Sequence, residues 1–255
     1  MGRLRGYGRV VTDVPSSGVP APTEMAPPVE HHHRNVSGGV ARASVFGVSD
    51  GLVSNVSLIL GVAGAGTTAS VVRTAGIAGL VAGAFSMAAG EYVSMKAQRE
   101  LLERELAIER RELDRHPQAE TVELAHIYMA RGVDPDTARD VATEMMRDPE
   151  TALEAHARDE LGIDPRSLGS PWAAAGSSFL AFSLGAFIPL IPWLFGSGAS
   201  AKLASVILTA VAAAIVGGLL ARFTGRSVVF SACRQVAIAA VAASVTYGIG
   251  VLLGT

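Results

Sequence analysis

The sequence predicts an all-α membrane protein: five transmembrane helices, with a small cytoplasmic helical domain inserted between spans two and three. Three observations carry that prediction. Of the 255 residues, 49% are apolar and only 17% charged, at a mean hydropathy of +0.37; a soluble domain averages about 25% charged. The charge is segregated, because residues 96–170 hold 18 of the 23 Asp and Glu and 11 of the 21 Lys and Arg. Stretches 51–72, 74–90, 171–201, 203–221 and 235–255 carry no charged side chain, and a span needs roughly 20 apolar residues. Neither a single soluble globule nor a pure membrane bundle fits this distribution. The net charge of −2 averages over the split, and nucleic acid is not expected as a partner.

Residues 1–38 lack the apolar core of a signal peptide and are rich in Pro, Gly and Ser, so a disordered cytoplasmic tail is expected. The His31, His32 and His33 run within it is a weak metal-binding signal. Spans one and two occupy 39–95. The first covers approximately 42–66, and Gly64, Gly66, Thr67 and Thr68 make a turn. The second starts near Arg73 and carries Gly76, Gly79, Gly83 and Gly90 at spacings that let another helix approach closely.

Residues 96–170 form the charged domain. No Gly or Pro occurs from Glu91 to Arg115, and Leu102, Leu106 and Leu113 recur at near-heptad spacing. Span two therefore continues out of the bilayer as one helix, about 60 Å over 40 residues, until His116-Pro117 breaks it. Further helices are expected over 118–131, from Asp134-Pro135 to Arg147, and from Asp148-Pro149 to Gly162, the last two with cap-and-proline starts. Spans three to five fill 171–255. Span three begins at Pro171, a favoured first-turn residue, and ends near Phe195; the others cover about 200–221 and 233–253. Cys233, the sole cysteine, excludes a disulfide framework and is expected to serve packing.

Lys and Arg set the orientation. Arg34 and Arg42 precede span one, the charged block follows span two, and Arg222, Arg226 and Arg234 cluster between spans four and five. Only Arg73 and Lys202 lie on the opposite side. The N-terminus and the charged domain are thus expected in the cytoplasm.

Several residues have the chemistry of an ion site. Asp50, in GVSDGLVSN, lies about two turns into span one, where an acid costs roughly 2.5–3.5 kcal/mol at the centre of a span. A cation, a proton or a polar cavity must offset that cost. Met87 and Glu91 lie four apart on one face of span two and could offer a soft and a hard ligand to a transition metal. Glu109 with Glu112, and Glu120 with Glu123, form two ExxE pairs on successive helices, each pair on one face. Carboxylates placed this way converge on divalent cations in helical metal sites, and His156 with Glu160 could close the set. Arg110, Arg111 and Arg115 nearby also fit a plain solvated ion-pair surface.

The runs VFGVSDGLVSNVSLILGVAGA, AGAFSMAAGEYVSMKAQ, FSLGAFIPLIPW and GRSVVFSACRQVAIAAVAASVTYGIG resemble the vacuolar iron transporter family over roughly 38–255. The resemblance implies a five-span homodimer with a cytoplasmic helical metal-binding domain, moving iron, manganese or other divalent metals. It also implies that Asp50 and Met87 belong to the translocation path. Glu109, Glu112, Glu120 and Glu123 would be the cytoplasmic metal site, with Glu160 as a fifth glutamate. Where plant members can carry a Met pair on the last short helix, this chain has His156 and Ala157, which puts the metal preference of that domain in question. Without a ferritin-like segment, no iron oxidation is expected.

The expected function is therefore proton-coupled antiport of Fe²⁺, with Mn²⁺, Co²⁺ or Zn²⁺ as further cargo, out of the cytosol. No prosthetic group and no enzymatic activity are expected. Arg outnumbers Lys 19 to 2, which points to a GC-rich bacterium and hence its plasma membrane. The alternative is a membrane-anchored divalent-metal sensor or buffer; it would need no ligands inside the bilayer.

Overall fold

The computed structural model describes residues 39–165 and 168–254; the expected tail with His31 to His33 lies outside them. All secondary structure among the described residues is helical. Eight helices follow in order: α1 (Gly39–Gly64), α2 (Ala69–Arg115), α3 (Pro117–Ala130), α4 (Pro135–Met145), α5 (Pro149–Asp159), α6 (Pro171–Phe195), α7 (Gly198–Thr224) and α8 (Val228–Leu253). Five of them, α1, α2, α6, α7 and α8, are long and apolar enough to cross a membrane. Their outward faces agree, for Leu184, Val241, Leu252 and Leu253 are each more than half exposed.

α6 is the most deeply buried of the five apolar helices. It buries Ala174, Ala181, Phe182, Gly185, Ala186, Leu190 and Trp193 against α1 and α2. Lipid is as apolar as leucine, so helices in a membrane gain little from hiding apolar surface and hold together by close van der Waals contact. Small residues supply that closeness here. A methyl on Gly51 would run into the carbonyl oxygen of Phe182, and one on Gly185 into that of Val48. Across the other face of α1, Gly61 and Gly250 bring α1 and α8 together in the same way. The sequence points to the glycines of span two for close approach, and three of the four serve it, against side chains rather than backbone. Gly76, Gly79 and Gly83 meet the side chains of Leu190, Leu58 and Phe182, and Gly90 meets nothing within 4 Å.

The connections are short. Gly66, at φ +72°, reverses the chain after α1, and the Thr67 hydroxyl donates to the Val62 carbonyl at 2.9 Å. Ser170 caps α6 through the Ala173 amide, and Ser227 caps α8 through the Phe230 amide. α8 thus begins at Val228, five residues before the expected start, because the Ser227 cap rather than the first uncharged stretch sets it. Arg222 falls in α7 and Arg234 in α8, leaving only Arg226 in the turn. Cys233 is exposed, so this chain does not pack it as expected.

α6 carries Pro189 and Pro192 inside the helix, each removing a backbone N–H. Side chains from its neighbours bond to this stretch. Asn55 Nδ2 on α1 donates to the Ala186 carbonyl at 2.6 Å, and the Ser205 hydroxyl on α7 donates to the Pro189 carbonyl at 2.7 Å.

α2 is one unbroken helix of 47 residues, about 70 Å long at 1.5 Å per residue. Its C-terminal half leaves the apolar region and packs against α3 and α5, which in turn hold α4. These three start at Pro117, Pro135 and Pro149. Asp134 and Asp148 cap α4 and α5 by accepting from backbone amides. Leu124, Ala125, Ala142 and Ala155, flanked by Tyr128 and Met145, form their apolar centre. It is a small centre, built largely from alanine, so the helices approach closely.

Candidate ion path and metal centre

The first site lies among the membrane-spanning helices. On α1, Phe46, Asp50, Ser54 and Leu58 are spaced four apart and line one wall of a cavity of about 280 Å³. Gly79, Gly83, Ser86 and Met87 of α2 line the facing wall, and Phe182 of α6 contributes too. The two glycines of the α2 wall let Leu58 and Phe182 pack close against that helix. Asp50 is half-buried, and one carboxylate oxygen accepts from the Ser54 hydroxyl at 2.9 Å. The structure thus brings Asp50 and the Met87 thioether to one hollow of mixed polar and apolar lining. Glu91, one turn beyond Met87, is half-buried but is not among the residues lining it.

Asn55 also lines this cavity and was not singled out by the sequence reasoning. Its Oδ1 is buried with no hydrogen-bond partner among the described residues, a state that costs about 1–3 kcal/mol. The Ser54-Asn55 pair within a membrane span is the sequence signal for it, since a neutral amide leaves no charge pattern.

The second site is in the charged helices. Glu109 lies 18 residues beyond Glu91 on α2, about 27 Å along the axis, and so outside the membrane-spanning segment. At this level α2 meets α3 and α5. His156 of α5 is fully buried, and its Nδ1 lies 3.1 Å from Glu109, 3.3 Å from Glu160 and 3.8 Å from Glu120. One ligand atom each from Glu109, His156 and Glu160 fall within 4.8 Å of one another, a spacing that a single cation can bridge. His156 Nε2 is buried without a partner. Glu109 and Glu120 are themselves buried, at 4% and 7% exposure, which is rare for carboxylates unless they are paired or bind metal.

The electrostatics follow from that crowding. Burial, then the Glu160 charge, pushes the Glu109 carboxyl up to about 7, although His156 opposes the shift. Burial and then Glu123 raise Glu120. Glu112 and Glu123 are exposed at the rim, where their charges act on the buried pair. The two ExxE pairs are thus split, with one member of each inside and one outside.

A clamp absent from the sequence reasoning holds this end of α5. Asp159 accepts from the Tyr128 hydroxyl at 2.9 Å and from the Arg131 guanidinium. Burial acts to raise the Asp159 carboxyl, but these two donors outweigh it and hold it below the usual carboxylate range. Burial and the same Asp159 bond push the Tyr128 hydroxyl up to about 12. The clamp fixes the residue next to Glu160.

The chain is similar to known proteins along most of its described length. The model of the VIT family matches residues 41–251. The chain belongs to the VIT family. Among relatives, vacuolar iron transporter 1 of rice (Oryza sativa subsp. japonica) is 34% identical over 236 residues, covering 91% of this chain and 94% of the relative. Vacuolar iron transporter 1 of Arabidopsis thaliana is 33% identical, covering 86% and 89%. The vacuolar iron transporter of Acanthamoeba castellanii is 37% identical, covering 88% and 83%. Both sites described above fall inside the VIT family match, as do α2, α6 and α7 whole and nearly all of α1 and α8.

Proposed function

We propose that this chain moves Fe²⁺ across a membrane, out of the cytosol, in exchange for protons. The observation that carries the reading is the Asp50 carboxylate and Met87 thioether meeting in one cavity among membrane-spanning helices. A transporter is favoured over an enzyme by this membrane-embedded cavity and by the names of the relatives. Asp50 would alternate between the cation and a proton, because a carboxylate at membrane depth is costly to keep charged without a partner. Met87 would add a soft ligand, and Glu91 would stand on the cytoplasmic approach. Mn²⁺, Co²⁺ and Zn²⁺ also accept such donors.

On this reading residues 96–170 form a cytoplasmic capture domain. Glu109, Glu120, His156 and Glu160 would hold the ion, with Glu112 and Glu123 drawing it to the rim. The chain would act as a homodimer in the plasma membrane of a bacterium. A sensor or buffer would use the charged helices alone and leave the Asp50 cavity without a role.

Flux of Fe²⁺ into proteoliposomes under an imposed pH gradient tests the proposal. Asp50→Asn should abolish flux while the purified variant still binds metal through the charged helices. Met87→Leu should slow flux less severely. Wild-type flux from Asp50→Asn would sink the mechanism.

A further inference from the structure

Asn55 is 2% exposed, and its amide is anchored at one end only. Nδ2 donates to the Ala186 carbonyl at 2.6 Å. That bond fixes which way the amide points, since the carbonyl of Ala186 accepts only from nitrogen. The other end, Oδ1, faces α2 at Gly79, where a methyl group would sit 3.0 Å from it. Asn55 and Gly79 line the same cavity as Asp50, Ser54 and Met87. A buried, unpartnered oxygen thus lies against α2 at Gly79, a residue that itself lines the cavity.

We infer that the Asn55 amide oxygen is an ion ligand in this cavity, a neutral hard donor beside the Asp50 carboxylate and the Met87 thioether. The inference rests on the reading of this cavity as the ion path. Carbonyl and carboxylate oxygens suit hard divalent cations such as Mn²⁺, whereas a thioether suits soft ones. A donor set of one carboxylate, one amide oxygen and one sulfur spans both classes. The Ala186 bond holds the oxygen in place before the ion arrives, and the proline-bearing stretch of α6 provides that anchor. Asn55 adds a ligand without adding charge, so the site carries one negative charge for a divalent ion.

The test uses the full-length chain in detergent, carrying Glu109→Ala and Glu160→Ala to disable the charged site, with Mn²⁺ as the probe. Calorimetric titration of this parent should show Mn²⁺ binding. Asn55→Ala should weaken it by about ten- to a hundredfold, the range seen when supporting groups of a metal site are removed. Asn55→Asp, which keeps an oxygen but loses the Ala186 bond, should recover binding only in part. Parental affinity in Asn55→Ala, or no Mn²⁺ binding by the parent, overturns the inference. If Asn55→Ala does not fold, Gly79→Ala replaces it. That methyl crowds Oδ1 and leaves the Ala186 bond in place, so unchanged affinity there overturns the inference as well. Failure of the transport reading shows separately, as absent Fe²⁺ flux by the wild-type chain.

Discussion

Glu109 and His156 illustrate how single residues acquire chemistry from their surroundings. Glu109 sits in a run of surface-type charges, yet it is the one buried charged residue of α2. Its ordinary carboxylate value gives way to about 7 because burial and Glu160 both disfavour the charge. A metal ligand must be deprotonated, so protons compete with metal near neutrality rather than near pH 4–5, as the unperturbed carboxylates of the sequence would suggest. Mn²⁺ affinity of the full chain, measured by calorimetry at a series of pH values, should fall as pH drops through about 7. His156→Ala should lower it about ten- to a hundredfold. The sign for stability is opposite. The folded, metal-free chain holds a proton on Glu109 that the unfolded chain releases near 4.5, so stability from this group declines as pH rises from about 4.5 toward 7. Thermal melts without metal should show that decline, and Glu109→Gln should flatten it.

Helix contacts in this protein are decided by where side chains are absent. Gly51 and Gly185 let α1 and α6 meet backbone to backbone, directly beside Asp50. Gly51→Ala should therefore force the helices apart, at about 1–3 kcal/mol for an overpacked contact, lowering the melting temperature and the flux together. Gly90→Ala meets open space and should be neutral or stabilising, because alanine is the better helix former; equal damage from both variants would refute this assignment. The sequence made the helices legible wherever punctuation was chemical. Asp134-Pro135, Asp148-Pro149, Ser170-Pro171 and His116-Pro117 each mark a helix start within a residue or two. It was less legible at α8, where Arg234 resembles a loop charge although the Ser227 cap comes earlier. The spacing of the ExxE pairs gave the residues of the charged site but not which of them are buried. That choice depends on the register of α2 against α3 and α5, which is set by tertiary packing. Asn55 escaped notice for a related reason, since its role comes from Ala186, 131 residues away.

At the scale of the molecule, the cavity and the charged site are two stations on one rod. Met87 and Glu109 are 22 residues apart on the same unbroken helix, about 33 Å along its axis. Exposed charges are screened beyond roughly 8 Å at physiological ionic strength, and sites this far apart act independently to within about 0.3–0.5 kcal/mol. The flux deficits of Met87→Leu and Glu109→Gln at low metal should therefore multiply in the double variant. A double variant no worse than the poorer single one would mean that the two sites are coupled. The same distance constrains timing. On the proposed reading no ligand of the charged helices reaches an ion held at Asp50, so the cation would be let go into water and find the cavity by diffusion. Residence time at the charged helices then matters more than strength of grip. A captor that never releases would starve the pore it feeds, so the best variant for throughput will be one that binds metal only moderately well.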